Sequence, residues 1–265
     1  MRQIEISHEV PISLLDVSKS INDYDYCLVH LLDQYEEYKN FYMNNVKEGR
    51  KVLLDNSLFE LETLFDGDIF AEKILELRPT EYIIPDSLEN IDETINSYNN
   101  FVSKYSDLPG IKIGVVQGKN YRELVECYKF MSDKADKIAI SFDYSYYRNC
   151  FSELDKLNAW CLGRQKFISD LVEDGFWNYN KPHHLLGCSL SKEFLNKKYN
   201  NLNIESVDTS NPIVAAIKNL KYNDIYGLEE KPSVKLCDLI TTKLNTDQLQ
   251  LTNYNTRMFR KACNG

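Results

Sequence analysis

Five polar residues each follow a short apolar run and have side chains suited to acid–base or hydrogen-bonding chemistry. They are Asp55, Asp86, Gln117, Asp143 and Asp208. An apolar run that ends on a polar residue is typical of a buried parallel strand whose carboxyl end opens onto a cleft. Any one of the aspartates could instead be the N-cap of the next helix. Glutamine is a poor N-cap, so the five strand ends together favour a shared site.

Several carboxylates with one amide suit two kinds of chemistry. One is cleavage of a glycosidic bond, in which one carboxylate attacks or stabilises an oxocarbenium-like centre while another moves a proton. The other is recognition of a polar heterocycle, in which Asp accepts from ring N–H and amino groups and Gln donates to a carbonyl. The sequence has no Walker A motif or G-x-G-x-x-G segment that would favour nucleotide phosphate binding.

The predicted elements around these residues alternate between strand and helix. Strands are predicted at 9–14, 26–32, 52–54, 82–84, 111–116, 137–142, 184–188 and 204–207. Helices are predicted at 35–46, 69–77, 88–105, 121–131, 152–173, 191–199 and 212–220. Near-continuous apolar strands separated by helices predict a parallel sheet covered on both faces. The number of units favours a single-domain (β/α)8 TIM barrel over a doubly wound sheet.

We predict that the barrel occupies residues 1–220 and that residues 221–265 form a helical extension packed on it. The seven cysteines are scattered without a C-x-C or C-x-x-C pair, which predicts free thiols and no zinc subdomain. His183 and His184 are adjacent, and neighbours on a strand point to opposite faces, so they are not expected to share a metal.

The overall composition narrows the classes of function. The net charge of −9 argues against a nonspecific nucleic-acid binder, although it does not exclude an enzyme that grips one nucleotide. No apolar run approaches the roughly 20 residues that cross a bilayer, so no membrane partner is expected. The first residues lack the apolar segment of a signal peptide, which predicts a cytoplasmic protein.

Five segments, in order, resemble motifs of the tRNA-guanine transglycosylases. The segment 54–59, Leu-Asp-Asn-Ser-Leu-Phe, resembles their D-S-G-G-F, and 84–86, Ile-Pro-Asp, resembles the strand end whose Asp holds the base. The segment 114–118, Gly-Val-Val-Gln-Gly, is similar to G-I-V-Q-G, and 183–187, His-His-Leu-Leu-Gly, is similar to H-Y-L-M-G. Residues 207–212 stand in the place of F-D-C-V-M-P. The resemblance covers roughly residues 25–220 and itself implies a (β/α)8 barrel.

The resemblance implies a role for each matching residue. Asp208 would attack C1′ of a guanosine-type nucleotide, releasing guanine and leaving a covalent glycosyl–enzyme intermediate. Asp55 would be the general base that takes a proton from the incoming base. Asp86 would accept from N1–H and the 2-amino group, and Gln117 with the backbone of Gly118 would meet the O6 side. The target nucleotide must be extruded to be reached.

Four further residues complete the candidate binding site. Asn56 and Gly187 belong to the matching segments, and Phe59 is expected to stack on the base or line the pocket, with a place in the core as the alternative. Asp143 has no counterpart in the family, because Ile-Ser-Phe-Asp stands where the family has G-L-A-V-G-E. The resemblance implies neither a cofactor nor a catalytic metal.

Two departures bear on the substrate. The two glycines of D-S-G-G-F are replaced by Ser57 and Leu58, so the turn and the pocket floor are expected to differ. The family's zinc motif, C-x-C-x-x-C with a later His, is absent. The short chain is therefore more similar to the DNA-modifying branch, whose viral and bacterial enzymes exchange guanine in DNA for a 7-deazaguanine such as preQ0. The expected partners are DNA, a preQ0-like base and guanine as the leaving base, in a host or bacterial cytoplasm, with dimerisation left open.

Three alternatives stay open. The same exchange could act on tRNA, or the chain could be a noncatalytic barrel subunit that binds nucleic acid. The presence of both Asp55 and Asp208 argues against the noncatalytic subunit. An unrelated carboxylate barrel such as a glycosidase is the third. Saccharide sites usually carry strand-end tryptophans, whereas Trp160 and Trp177 fall within or just after a predicted helix.

Overall fold

The fold was determined as a computed structural model that describes residues 3–197, 199–223, 227–228, 232 and 234–265, with the side chains of residues 196 and 197 excepted. The strands are β1 (Glu5–Ser7), β2 (Asp25–Leu28), β3 (Val52–Asp55), β4 (Glu81–Ile83), β5 (Ile111–Val115), β6 (Lys137–Ser141), β7 (His183–Leu186) and β8 (Ile204–Asp208). In these described residues they form one parallel sheet in the order β1-β8-β7-β6-β5-β4-β3-β2. With helices between the strands, this is the predicted (β/α)8 TIM-barrel fold.

The helices follow the strands in alternation. They are α1 (Leu15–Ile21), α2 (Glu36–Lys47), α3 (Leu58–Leu61), α4 (Gly67–Leu77), α5 (Ile91–Lys104), α6 (Tyr121–Lys134), α7 (Ser145–Cys150), α8 (Lys156–Glu173), α9 (Asn211–Ile217) and α10 (Thr246–Asn264). Short 3-10 helices occupy Ile12–Leu14, Val29–Leu31, Ser191–Lys197 and Leu236–Leu239. None of the helices in the described part of the chain is long and apolar enough to cross a membrane.

The chain folds as two compact units. The central unit is residues 24–140, and the terminal unit joins residues 1–23 to residues 141–265. In the central unit, the three apolar residues of β3 are fully buried, and the α4 side chains Phe70 and Ile74 are buried as well. Burial of these apolar side chains is the main term that stabilises the unit.

In the terminal unit, α10 packs on α9 and on the 3-10 helix Ser191–Lys197. Phe259 is fully buried, with its ring centroid 5.8 Å from that of Phe194. Asn255 donates to the Leu220 carbonyl at 3.0 Å and accepts from the Tyr222 backbone N–H at 2.9 Å. The described part of the predicted extension is thus held by both apolar contacts and hydrogen bonds, while its division from the barrel at residue 220 stays a prediction.

Four local predictions differ from the structure. The first strand is Glu5–Ser7, and the predicted 9–14 strand is wrong, because Pro11 has no N–H for a ladder and Ile12–Leu14 turns into a 3-10 helix. The second strand ends early, at Leu28. The helix predicted at 152–173 begins later, at Lys156 after its N-cap Asp155, and a separate short helix that was not predicted, α7, precedes it at Ser145–Cys150. The helix predicted at 191–199 is a 3-10 helix, and residue 198 lies outside the described residues.

Candidate functional site

The five predicted polar residues all lie at carboxyl ends of parallel strands. Asp55 is the last residue of β3 and Asp208 the last of β8. Asp86, Gln117 and Asp143 follow β4, β5 and β6 within a few residues. All are buried except Asp143, which is half-buried and accepts from Ser141 Oγ at 2.7 Å.

These residues are not the N-caps of the helices that follow them. The side chains of Asp66, Asn90 and Asn120 cap α4, α5 and α6. The N-cap positions of α7 and α9 are Tyr144 and Ser210. The capping alternative for the strand-end aspartates is therefore wrong, and their burial at the strand ends needs another explanation.

In the central unit, Asp86 lies between two amide side chains. Its Oδ1 accepts from Asn56 Nδ2 and its Oδ2 accepts from Gln117 Nε2, each at 2.7 Å. Asn56 Nδ2 also donates to the Ile84 carbonyl at 3.1 Å, and Gln117 Oε1 accepts from the Glu89 backbone N–H at 2.8 Å. The carboxylate is thereby fixed in one plane. We call Asp55, Asn56, Asp86 and Gln117 the central cluster.

A backbone donor follows directly after Gln117 of the central cluster. Within the described residues, no hydrogen bond uses the buried Gly118 backbone N–H. Gly118 itself is required by packing, because a Cβ there would lie 2.8 Å from both Glu123 Cβ and Leu124 N at the start of α6.

The turn after Asp55 is held by the two polar side chains that precede it. Asp55 Oδ2 accepts from the Ser57 N–H at 2.7 Å, and Asn56 Oδ1 accepts from the Leu58 N–H at 3.0 Å. Ser57 has a φ of 61°, a left-handed conformation that glycine adopts readily. Phe59 follows in α3 and is 46% exposed, so the core alternative for this ring is wrong.

Sequence reasoning missed Cys127, which supports the central cluster from α6. The Gln117 backbone N–H lies 3.3 Å from Cys127 Sγ. Burial raises the pKa of the Cys127 thiol to about 12, and the charge of Asp86 adds to this. Cys127 is thus a neutral thiol and not a nucleophile.

In the terminal unit, Asp208 is held from two sides through a single oxygen. His184 Nε2 lies 3.0 Å from Asp208 Oδ1, and the Gly187 backbone N–H donates to the same oxygen at 3.0 Å. His184 Nδ1 lies 2.9 Å from Ser206 Oγ. No residue of the described chain donates to Asp208 Oδ2. We call His184, Ser206 and Asp208 the terminal cluster.

The terminal cluster contains the residue types of a Ser-His-Asp triad but in the opposite orientation. Ser206 lies inside β8 and is fully buried, whereas Asp208 is at the strand end. The chain of hydrogen bonds therefore leads from the buried hydroxyl to the carboxylate. This order favours Asp208, and not the serine, as the reacting group.

Two features require glycine at position 187, whose N–H holds Asp208. Its φ is 66°, and a Cβ would lie 2.4 Å from Cδ1 of Phe142. Arg164 donates to the carbonyls of Leu186 and Gly187 at 3.1 and 2.9 Å, and it pairs with buried Glu193 at 2.7 Å. The buried ion pair thus fixes the segment whose amide holds Asp208.

His183 and His184 are adjacent in β7 but meet different partners. The His183 ring stacks on Trp177 with centroids 3.9 Å apart, while His184 meets Asp208. Sequence reasoning assigned no role to His184, Ser206 or Arg164. Among the described residues, no group of three or more His, Cys, Asp and Glu side chains is arranged to hold a metal ion.

Comparison with known proteins defines the fold class of this chain. No protein-family model matches it, and no curated protein matches it. It is similar to a solved structure described as a candidate fructose-1,6-biphosphate aldolase from Coccidioides immitis, with a TM-score of 0.50, 12% identity and coverage of 98% of this chain and 89% of that one. At this identity the likeness shows the TIM-barrel fold alone.

A second similar structure is described as a candidate alpha-L-fucosidase from Bacteroides thetaiotaomicron. Its TM-score is 0.46 with 9% identity, over 97% of this chain and 95% of that one. The likeness is too distant to bear on function.

Proposed function

We propose that this chain is an enzyme, a pentosyltransferase that exchanges guanine in DNA for a 7-deazaguanine base such as preQ0. The observation that carries the proposal is the Asp208 carboxylate, which is held through Oδ1 and leaves Oδ2 without a donor in the described residues. A buried carboxylate fixed through one oxygen is suited to attack carbon with the other. The motif resemblance supplies the identity of that carbon.

In the first half of the reaction, Asp208 Oδ2 attacks C1′ of the target nucleotide. The bond from C1′ to the base nitrogen breaks, and guanine leaves with the electron pair and takes up a proton from solvent water. The product is an ester between the sugar and Asp208. Two hydrogen bonds on Oδ1 keep the carboxylate in one orientation while this bond forms.

In the second half, the incoming base displaces Asp208. Its ring nitrogen attacks C1′, the C1′–Oδ2 bond breaks, and the proton on that nitrogen goes to Asp55. Asp55 is held to the backbone through Oδ2, by the Ser57 N–H at 2.7 Å. Asp208 is regenerated as a carboxylate and Asp55 releases its proton to solvent, so neither an oxidant nor a cofactor is consumed.

The central cluster supports recognition of the base. Asp86, oriented by Asn56 and Gln117, can accept from N1–H and from the 2-amino group. The Gly118 N–H and the second amide hydrogen of Gln117 would meet O6. A pyrimidine lacks this pattern of two adjacent donors beside a carbonyl, so the pattern favours guanine and its 7-deaza relatives.

A covalent adduct tests the nucleophile. The wild-type chain, incubated with an oligonucleotide and no incoming base, is expected to give a band of higher mass on a denaturing gel. Asp208→Asn should abolish this band. Asp247→Asn, which changes an exposed carboxylate in the first turn of α10, is the matched control and should retain it. An adduct that persists in Asp208→Asn would overturn the assignment.

Incorporation of a labelled base identifies which nucleic acid is the substrate. Incorporation of labelled guanine and of preQ0 is compared on duplex DNA, single-stranded DNA and tRNA. Incorporation into DNA supports the proposal, whereas incorporation into tRNA alone would assign the tRNA reaction instead. Binding of a nucleic acid without exchange or adduct would assign the noncatalytic subunit.

A further inference from the structure

His184 stands where the H-Y-L-M-G segment has tyrosine, so this chain places an imidazole next to the proposed nucleophile. We infer that His184 is a positioning residue, which fixes the Asp208 carboxylate in one orientation while the Ser206 hydroxyl fixes the imidazole tautomer. This inference rests on the proposed function, and it adds a role that the motif resemblance does not assign.

Asp208 is held through one of its two carboxylate oxygens. His184 Nε2 and the Gly187 N–H both lie 3.0 Å from Oδ1. An ionised carboxylate only accepts hydrogen bonds, so Nε2 must carry a hydrogen. Two donors on Oδ1 break the equivalence of the oxygens and leave Oδ2 as the attacking atom.

The His184 imidazole is held by Ser206 on its other nitrogen. Its Nδ1 lies 2.9 Å from Ser206 Oγ, and a hydroxyl can donate to an unprotonated Nδ1. In this arrangement His184 is neutral with its hydrogen on Nε2, and each hydrogen bond has a donor and an acceptor. His184 and Ser206 are fully buried and are paired across β7 and β8. Bulk water therefore cannot take the place of either side chain as the other's hydrogen-bond partner. The tautomer is thereby determined by the second partner of the ring.

The adjacent histidine provides a matched control. His183 is also fully buried in β7, but its ring stacks on Trp177. Phenylalanine keeps the flat ring at either position and removes both nitrogens. If His184 only filled space, His184→Phe and His183→Phe would have the same effect on the reaction.

The rate of adduct formation at saturating oligonucleotide is the main measurement, with the affinity for the oligonucleotide measured separately. His184→Phe is expected to slow adduct formation by about 10- to 100-fold with little change in affinity, because a charge-assisted hydrogen bond is lost. His184→Gln, whose amide can donate to Asp208, should recover part of the rate, and His183→Phe should react like the wild type. Equal rates in His184→Phe and His183→Phe would overturn the inference.

A second measurement keeps the inference separate from the proposed function. The imidazole nitrogen spectrum of the wild-type chain should show His184 with its hydrogen on Nε2. This signal should shift in Asp208→Ala, and it should show mixed tautomers in Ser206→Ala. If the wild type forms no adduct and exchanges no base, the proposed function fails, and the spectrum still decides the positioning role: an Nδ1–H tautomer in the wild type would refute it.

Discussion

His8, which follows β1 in the terminal unit, illustrates how a single buried side chain can make stability depend on pH. It is 2% exposed, its Nδ1 lies 3.4 Å from the Thr209 carbonyl, and its ring meets the edge of Phe259 with centroids 5.6 Å apart. Its Nε2 has no hydrogen-bond partner in the described residues. Burial lowers the pKa of His8 from 6.5 to about 3.

The lowered pKa predicts a loss of stability in acid. Between pH 6.5 and about 3 the unfolded chain binds a proton at His8 that the folded chain does not. His8 therefore has no effect on the free energy of unfolding above pH 6.5. Below pH 6.5 it lowers that free energy by about 1.4 kcal/mol per pH unit. His8→Phe should remove this part of the slope when the free energy of unfolding in urea is measured from pH 7 to pH 5. A slope that is the same in both proteins would show that other groups carry it.

The turn after β3 carries a serine where glycine is the usual residue. Ser57 has a φ of 61° and is fully buried, and two side-chain hydrogen bonds hold the turn around it. The element therefore keeps the conformation through hydrogen bonding and tolerates a Cβ. This turn presents Asp55, so its geometry affects the proposed general base directly.

Substitutions at Ser57 test this account. Ser57→Gly should change the free energy of unfolding by less than about 1 kcal/mol, because easier left-handed geometry is offset by the entropy of glycine in the unfolded chain. Ser57→Val should destabilise by about 2 kcal/mol or more, since a β-branched residue fits poorly at positive φ. Thermal or urea unfolding measures both. Similar stabilities for the two variants would contradict a left-handed Ser57.

The buried ion pair between α8 and the segment after β7 predicts a large effect. Arg164→Met would leave Glu193 as a buried charge and would remove two donors from the Leu186 and Gly187 carbonyls. The expected loss is about 3–5 kcal/mol of unfolding free energy. Lys166→Met is the control on the same helix, because the Lys166–Asp170 pair is partly exposed to solvent and should contribute less than about 0.5 kcal/mol. A small effect of Arg164→Met would show that the ion pair does not hold this segment.

The strands and their polar ends were predictable because each strand is a short, nearly continuous apolar run. Such runs identified β3, β6 and β8 and located Asp55 and Asp208 at their ends. β1 was missed because it is three residues long and only partly apolar, and a more apolar segment with Pro11 follows it. The start of α8 was placed four residues early, because the helical period over 152–173 does not show that Asp155 caps a helix beginning at Lys156.

The support of the site could not be predicted from local patterns. The contact of His184 with Asp208 joins residues 24 positions apart, and that of Arg164 with Glu193 joins residues 29 positions apart. Nothing in the period of either segment specifies its partner. The same holds for Cys127, which looks like any apolar residue of an amphipathic helix until its backbone partner at Gln117 is known.

At the scale of the whole molecule, charge is divided unequally between the units. The central unit contains 13 basic and 22 acidic residues, whereas the terminal unit contains 18 of each. The entire excess of negative charge thus belongs to the unit with the central cluster. A nucleic-acid backbone is expected to be contacted mainly by the terminal unit, which does not repel it overall.

Lys156 is a residue at which this expectation can be tested. It is exposed at the first position of α8, the helix after the carboxyl end of β6 and α7, and its Nζ lies 4.3 Å from the centre of the Trp160 ring. Lys156→Ala should weaken oligonucleotide binding and reduce the slope of log K against log salt by about one. Lys166→Ala, further along the same helix, should leave the slope unchanged. Equal slopes in the two variants would show that the nucleic-acid backbone does not contact Lys156.

The location of both tryptophans has a practical consequence for spectroscopy. Both tryptophans of the chain belong to the terminal unit, and the central unit contains none. Selectively excited tryptophan emission is therefore a reporter of the terminal unit alone, whereas far-ultraviolet circular dichroism monitors the helices of both. Unfolding curves recorded by the two signals on one sample will coincide if the halves melt together and separate if they do not.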